Sequence, residues 1–188
     1  MDAHEFETRI YIASTKPLYD EALFKKLYAQ VPDYRKKKVD SYSAPKDKCL
    51  SLGAGLLLSK ALTEAGYDEE ELEYSFRESG MPYFKNAPEI QFSLSHSENR
   101  VMCGISLSPI GVDVEKQLEK TLGEYQQWTR IESYAKATNT SMADLLGGVT
   151  VFNTEFKFLT PDPQDGYIYC VCSDEILNLS QVKTVLFK

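Results

Sequence analysis

The chain has 188 residues, enough for one large domain or two small lobes. Its 28 acidic and 21 basic side chains leave a formal charge of -7, which argues against a broad nucleic-acid surface. No apolar run reaches the roughly 20 residues that cross a bilayer, and 12 Tyr and 9 Phe are far more than a disordered chain carries. The N-terminus is acidic and lacks an apolar segment, so we expect no signal peptide and a cytoplasmic protein. Cys49, Cys103, Cys170 and Cys172 are then expected to be free, buried thiols. They form no Cys-x-x-Cys pair, and with only 2 His a zinc site is not expected.

In chain order, Arg9 to Ser14 alternates and predicts a first strand, broken by Pro17. Asp20 caps a predicted helix with Leu23, Phe24, Leu27, Tyr28 and Val31 at helical spacing, ended by Pro32. A basic cluster follows at Arg35, Lys36, Lys37 and Lys38. Asp47 to Ala65 predicts a longer helix stopped by Gly66; Gly53 and Gly55 within it imply close packing against a neighbour. Leu72 to Phe76 and Met81 to Phe84 read as strands around the Ser79-Gly80 turn, and Gln91 to Ser95 with Val101 to Leu107 as a hairpin. After the Pro109 to Gly111 turn, Val112 to Glu115 is a further strand and Tyr125 to Thr138 a helix, with Asn139 as a left-handed stop. Predicted strands at Val149 to Phe152, Glu155 to Leu159, Tyr167 to Cys172 and Val182 to Phe187 complete the chain. Helices and strands mix without regular βαβ alternation, so the expected class is α+β, with a boundary at the Pro109 to Gly111 turn.

The run Gly111-Val112-Asp113-Val114-Glu115 carries the most chemistry. Residues two apart on a strand share a face, so Asp113 and Glu115 project together and repel unless a cation lies between them. Oxygen-only ligands favour Mg²⁺, which usually shares its shell with substrate phosphates. Downstream, Glu132 and Lys136 are four apart on a predicted helix; taken alone, such a pair is an ordinary surface contact. His96 between serines invites a hydrolase reading, but no Gly-x-Ser-x-Gly elbow is present.

Four segments together resemble the surfactin-type 4'-phosphopantetheinyl transferase family. They are Gly80-Met81-Pro82-Tyr83-Phe84, Phe92-Ser93-Leu94-Ser95-His96-Ser97, Ile110 to Lys116, and Trp128-Thr129-Arg130-Ile131-Glu132-Ser133-Tyr134-Ala135-Lys136. The resemblance implies a holo-[acyl-carrier-protein] synthase type of activity: transfer of 4'-phosphopantetheine from coenzyme A to a serine hydroxyl of an acyl or peptidyl carrier protein. It also implies two pseudo-symmetric α+β lobes, at residues 1–109 and 110–188, with coenzyme A between them in a monomer. Its implied metal ligands are Asp113, Glu115 and Glu132, holding Mg²⁺. Glu132 is also the expected base, and Lys136 the ammonium on the diphosphate. Pro82, Ser95 and His96 are expected at the coenzyme A site, and Lys37 and Lys46 near its 3'-phosphate. A carrier-docking rim is expected around Lys116, Lys120 and Arg130.

The chain departs from the family pattern at several positions. Met81 and Ile131 stand where the family usually has Lys, and Cys49 and Leu50 lie where it often has Arg. Only residues 116 to 127 separate Glu115 from Trp128, where the family usually has a longer insert. These differences imply weaker coenzyme A binding and altered carrier docking. They also motivate a rival reading, a non-catalytic relative that binds coenzyme A or a carrier protein, and a further one, a Mg²⁺-dependent hydrolase of coenzyme A.

Overall fold

Strand β1 (Arg9–Ser14) shows why the chain stacks in layers. Its Tyr11 and Ala13 enter one apolar core, and Ile10 and Ile12 enter a second, as a side-chain period of two requires when both faces of a sheet are covered. This arrangement is seen in a computed structural model that describes residues 6–118, 121–147 and 152–188.

The helices α1 (Glu21–Tyr28), α2 (Asp33–Asp40) and α3 (Pro45–Glu64) lie on the first face. Asp20 caps α1 by accepting a 2.8 Å hydrogen bond from the Leu23 N–H. Leu52, Leu57, Leu58 and Leu62 of α3 are fully buried, and each such side chain contributes about 1.5–3 kcal/mol. The close packing expected at the α3 glycines is present: a Cβ on Gly53 would lie 2.9 Å from Thr15 Cγ2, and one on Gly55 3.2 Å from Arg35 Cδ. The hairpin β2 (Tyr74–Phe76) and β3 (Pro82–Phe84) follows.

β4 (Gln91–Ser97) and β5 (Arg100–Ser106) form the predicted hairpin beside β1. The sheet order is β4-β5-β1-β9, where β9 (Val182–Val185) returns from the far end of the chain and pairs with β1 in parallel. A second, antiparallel sheet of β6 (Ile110–Lys116), β8 (Tyr167–Ser173) and β7 (Lys157–Leu159) packs on the other face of the first. Ile110, Val112, Val114, Tyr169 and Val171 meet Ile10, Ile12 and Met102 there. Helix α4 (Leu122–Thr138) covers the outer face of the second sheet. It starts at a capping box between Thr121 and Glu124, and it ends at Asn139 in the left-handed conformation, φ 54°.

The mixed helix and strand content is α+β, as expected. The structure adds α2, which carries the basic cluster, and α5 (Met142–Leu146). The strand expected at Val149 to Phe152 falls largely on residues 148–151, outside the described residues. Among the described residues no helix is long and apolar enough to cross a membrane.

Candidate active site

Gly111 sets how closely α4 approaches β6. A Cβ at that position would lie 1.8 Å from the Ser133 carbonyl oxygen and 2.6 Å from the Ala137 nitrogen. With hydrogen in its place, the helix rests directly on the strand, and two side chains one turn apart on α4 reach Asp113. The Lys136 ammonium donates to Asp113 Oδ1 at 2.8 Å and to the Val112 carbonyl at 3.0 Å, and lies 3.4 Å from Glu132 Oε2.

Asp113, Glu115 and Glu132 each place a carboxylate oxygen within 4.8 Å of the others. Three carboxylates thus face a single ammonium. Burial comes first among the causes that push Glu132 above the usual glutamate range, and the Asp113 charge adds to it. Burial also raises Glu115; hydrogen bonds from Ser97 and Trp128 oppose that rise, and Asp113 reinforces it. Asp113 Oδ1 accepts from both Ser95 Oγ and Lys136 Nζ. Its Oδ2 is buried with no hydrogen-bond partner among the described residues, an arrangement that costs free energy unless a cation, or a proton shared with Glu132, completes it. An oxygen-only set with excess negative charge and one bare buried oxygen suits a hard divalent cation such as Mg²⁺.

β4 fixes the other side of this cluster through a feature the sequence reading missed. Ser93, Ser95 and Ser97 share the face of β4 opposite Phe92 and Leu94, which enter the first core. Their Oγ atoms accept the N–H groups of Val112, Val114 and Lys116 on β6 at 3.0, 3.3 and 3.1 Å. Ser95 then donates to Asp113 and Ser97 to Glu115 Oε2, at 2.8 and 2.9 Å. The signal was present as Ser-x-Ser-x-Ser at a period of two along one strand.

The remaining site candidates are placed unequally. Ser95 is buried, and its hydroxyl is engaged by Asp113 and Val114. His96 lies beside the cluster with part of its ring open to solvent; the protein packed around the rest of the ring and then the Lys136 charge hold its imidazole below the usual histidine range. Pro82 lines a cleft of about 360 Å³ together with Met81, Leu94, Met142, Glu132 and Lys136. Lys46 pairs with Glu98 at 2.7 Å, at the turn just after His96. Lys37 is exposed on α2, which packs on α3. Arg35, from the same basic run, turns inward instead and is buried. Ile131 is also buried, on α4. Lys116 lies over the Tyr167 ring at 4.5 Å and Arg130 over the Phe158 ring at 5.0 Å; Lys120 is outside the described residues.

No family model matches the chain. Individual relatives do. The chain is 28% identical over 98 residues to a 4'-phosphopantetheinyl transferase of Bacillus subtilis, covering 52% of this chain and 44% of that protein. It is 25% identical over 174 residues to the 4'-phosphopantetheinyl transferase gsp of Aneurinibacillus migulanus, covering 90% of this chain and 70% of that protein. It is 34% identical over 65 residues to the 4'-phosphopantetheinyl transferase Sfp of Bacillus subtilis strain 168, covering 35% and 29%. The chain therefore matches less than half of the length of the first and third of these proteins. At 25% identity over 90% of its residues, and at 28% and 34% over shorter stretches, the chain is similar to proteins named 4'-phosphopantetheinyl transferases.

Proposed function

We propose that this protein moves the 4'-phosphopantetheine group of coenzyme A onto a serine hydroxyl of an acyl or peptidyl carrier protein. The activity would be of the holo-[acyl-carrier-protein] synthase type, in a cytoplasmic monomer. The observation that carries this reading is the convergence of Asp113, Glu115 and Glu132 within 4.8 Å, with Asp113 Oδ2 left bare. Mg²⁺ bound to these three carboxylates would neutralise charge on the diphosphate as it breaks.

The chain's own residues supply the rest. The carrier serine Oγ attacks the β-phosphorus, the bridging P–O bond breaks, and adenosine 3',5'-bisphosphate leaves. Glu132 takes the serine proton, directly or through water. Lys136 turns its ammonium toward the departing oxygen. His96, held neutral near pH 7, hydrogen-bonds a phosphate oxygen. Ser95 holds Asp113 in place, Pro82 lines the cleft, and Lys37 and Lys46 meet the 3'-phosphate. In this reading residues 1–109 and 110–188 are the two lobes, with β9 of the second completing the sheet of the first.

The test is the mass of an apo-carrier protein incubated with this protein, coenzyme A and Mg²⁺. A gain equal to phosphopantetheine is the expected result. No gain on acyl, polyketide or peptidyl carriers, with a positive-control transferase active, overturns the reading. One observation favours a second reading, a coenzyme A or carrier-protein binder without catalysis. Lys136 is the single cation among the described residues lining the cleft, it is already shared by two carboxylates, and Met81 stands nearby in place of a further ammonium. Calorimetric binding of coenzyme A without transfer would select that alternative.

A further inference from the structure

We propose that Ser97 is a positioning residue for the candidate metal centre, a role that rests on the metal reading above. Asp113 is short, buried and tied down by Ser95 and Lys136. Glu115 is longer, half-buried and near the end of β6, so its carboxylate has more freedom to leave the cluster. Ser97 removes that freedom. A hydroxyl has a single proton. Because Ser97 Oγ accepts the Lys116 N–H at 3.1 Å, that proton is directed at Glu115 Oε2, 2.9 Å away. The serine is itself fixed from both sides, by its place in β4 and by its bond to β6. The indole of Trp128 provides a second hydrogen bond to the same carboxylate. With its proton committed to Glu115, Ser97 acts on the cation through Glu115.

Ser93 supplies an internal control. It accepts the Val112 N–H as the same kind of rung, yet among the described residues it donates to no carboxylate. The experiment measures Mn²⁺ binding, by the loss of the free-ion paramagnetic resonance signal, for the wild type and for Ser97→Ala, Ser97→Thr, Ser93→Ala and Asp113→Ala. Removing a partner that orients a metal ligand usually weakens metal binding about 10–100-fold. Ser97→Ala is therefore expected to raise the Mn²⁺ Kd about tenfold or more, and Ser97→Thr, which keeps the hydroxyl, to restore it. Ser93→Ala is expected to melt earlier but to bind Mn²⁺ as tightly as the wild type. If Ser97→Ala does not fold, Ser97→Cys, similar in size and a poor donor, takes its place. Unchanged affinity in the Ser97 variant, or an equal loss in Ser93→Ala, overturns the role of Ser97 alone. A wild type that takes up no Mn²⁺, or an Asp113→Ala variant that binds it equally well, overturns the metal reading and this inference with it.

Discussion

Among the described residues, the buried charged side chains Arg35, Glu69 and Asp113 fall in two clusters, and the two are built on opposite principles. On the α3 side, Arg35 lies under Gly55 with its guanidinium over the rings of Tyr34 and Tyr74, at 5.0 and 4.8 Å. It faces Glu69 at 4.0 Å, and Glu69 accepts the hydroxyls of Tyr34 and Ser59 on its two oxygens. One guanidinium thus meets one carboxylate with both oxygens satisfied, and the aromatic faces compensate the guanidinium nitrogen that lacks an acceptor. On the α4 side, three carboxylates meet one ammonium and leave a buried oxygen bare. The first arrangement is closed and holds α2 against α3. The second is held in excess charge by the surrounding fold, which is the electrostatic state in which an added cation gains most.

Substitutions in the two clusters should therefore separate activity from stability. The largest effect is expected for Asp113→Asn. It removes the bare anionic oxygen, so transfer to a carrier protein should fall by at least ~10³-fold, about 4 kcal/mol. Its melting temperature without metal should not fall, because the excess negative charge is reduced. An Asp113→Asn protein that unfolds would make this cluster as structural as the other. Arg35→Met should do the reverse. It strands Glu69 as a lone buried anion and is expected to destabilise the fold by about 3–5 kcal/mol in urea titrations, with Arg35→Met/Glu69→Gln recovering most of the loss.

A metal titration sharpens the contrast further. Glu115 and Glu132 hold protons more tightly in the fold than in the unfolded chain. Above the ordinary glutamate value of 4.5 the folded state thus carries more protons than the unfolded one, and stability declines as pH rises through the raised values. Mg²⁺ at a hundredfold excess over its Kd should add about 2.7 kcal/mol. Its stabilisation should be greater near pH 8 than near pH 5, where protons compete for the same oxygens. Equal melting shifts at both values would argue against binding at these carboxylates. The smallest effect belongs to Lys46→Ala, which breaks an exposed pair with Glu98. It should change stability by less than about 1 kcal/mol while raising KM for coenzyme A, and an unchanged KM would remove Lys46 from the ligand site.

Much of the fold was legible because its signals are local. Strand β1 declared itself by alternation, α4 as a helix from Tyr125 to Thr138 with its Asn139 stop, which the structure extends back to Leu122, and β6 by a short apolar run after a turn. Helix α2 was not, because only Arg35 and Val39 among its eight residues are buried, so it shows no apolar stripe. The inward turn of Arg35 was equally hidden. A guanidinium in a basic run reads as solvated until a glycine, two tyrosines and a glutamate from elsewhere in the chain surround it. The cleft beside Lys136 shows the same limit, since Met81 and Met142 line it from segments far apart in the sequence.

By itself the sequence determined which side chains could act together over short spans. Asp113 and Glu115 share a strand face, Glu132 and Lys136 share a helix face, and three serines recur at a period of two, because strand and helix periods are properties of the local backbone. Only the tertiary structure decided that these three sets meet. The reason is steric and hydrogen-bonding at once. A missing Cβ at Gly111 lets α4 settle onto β6, and the serine hydroxyls of β4 tie that strand's N–H groups from its other side.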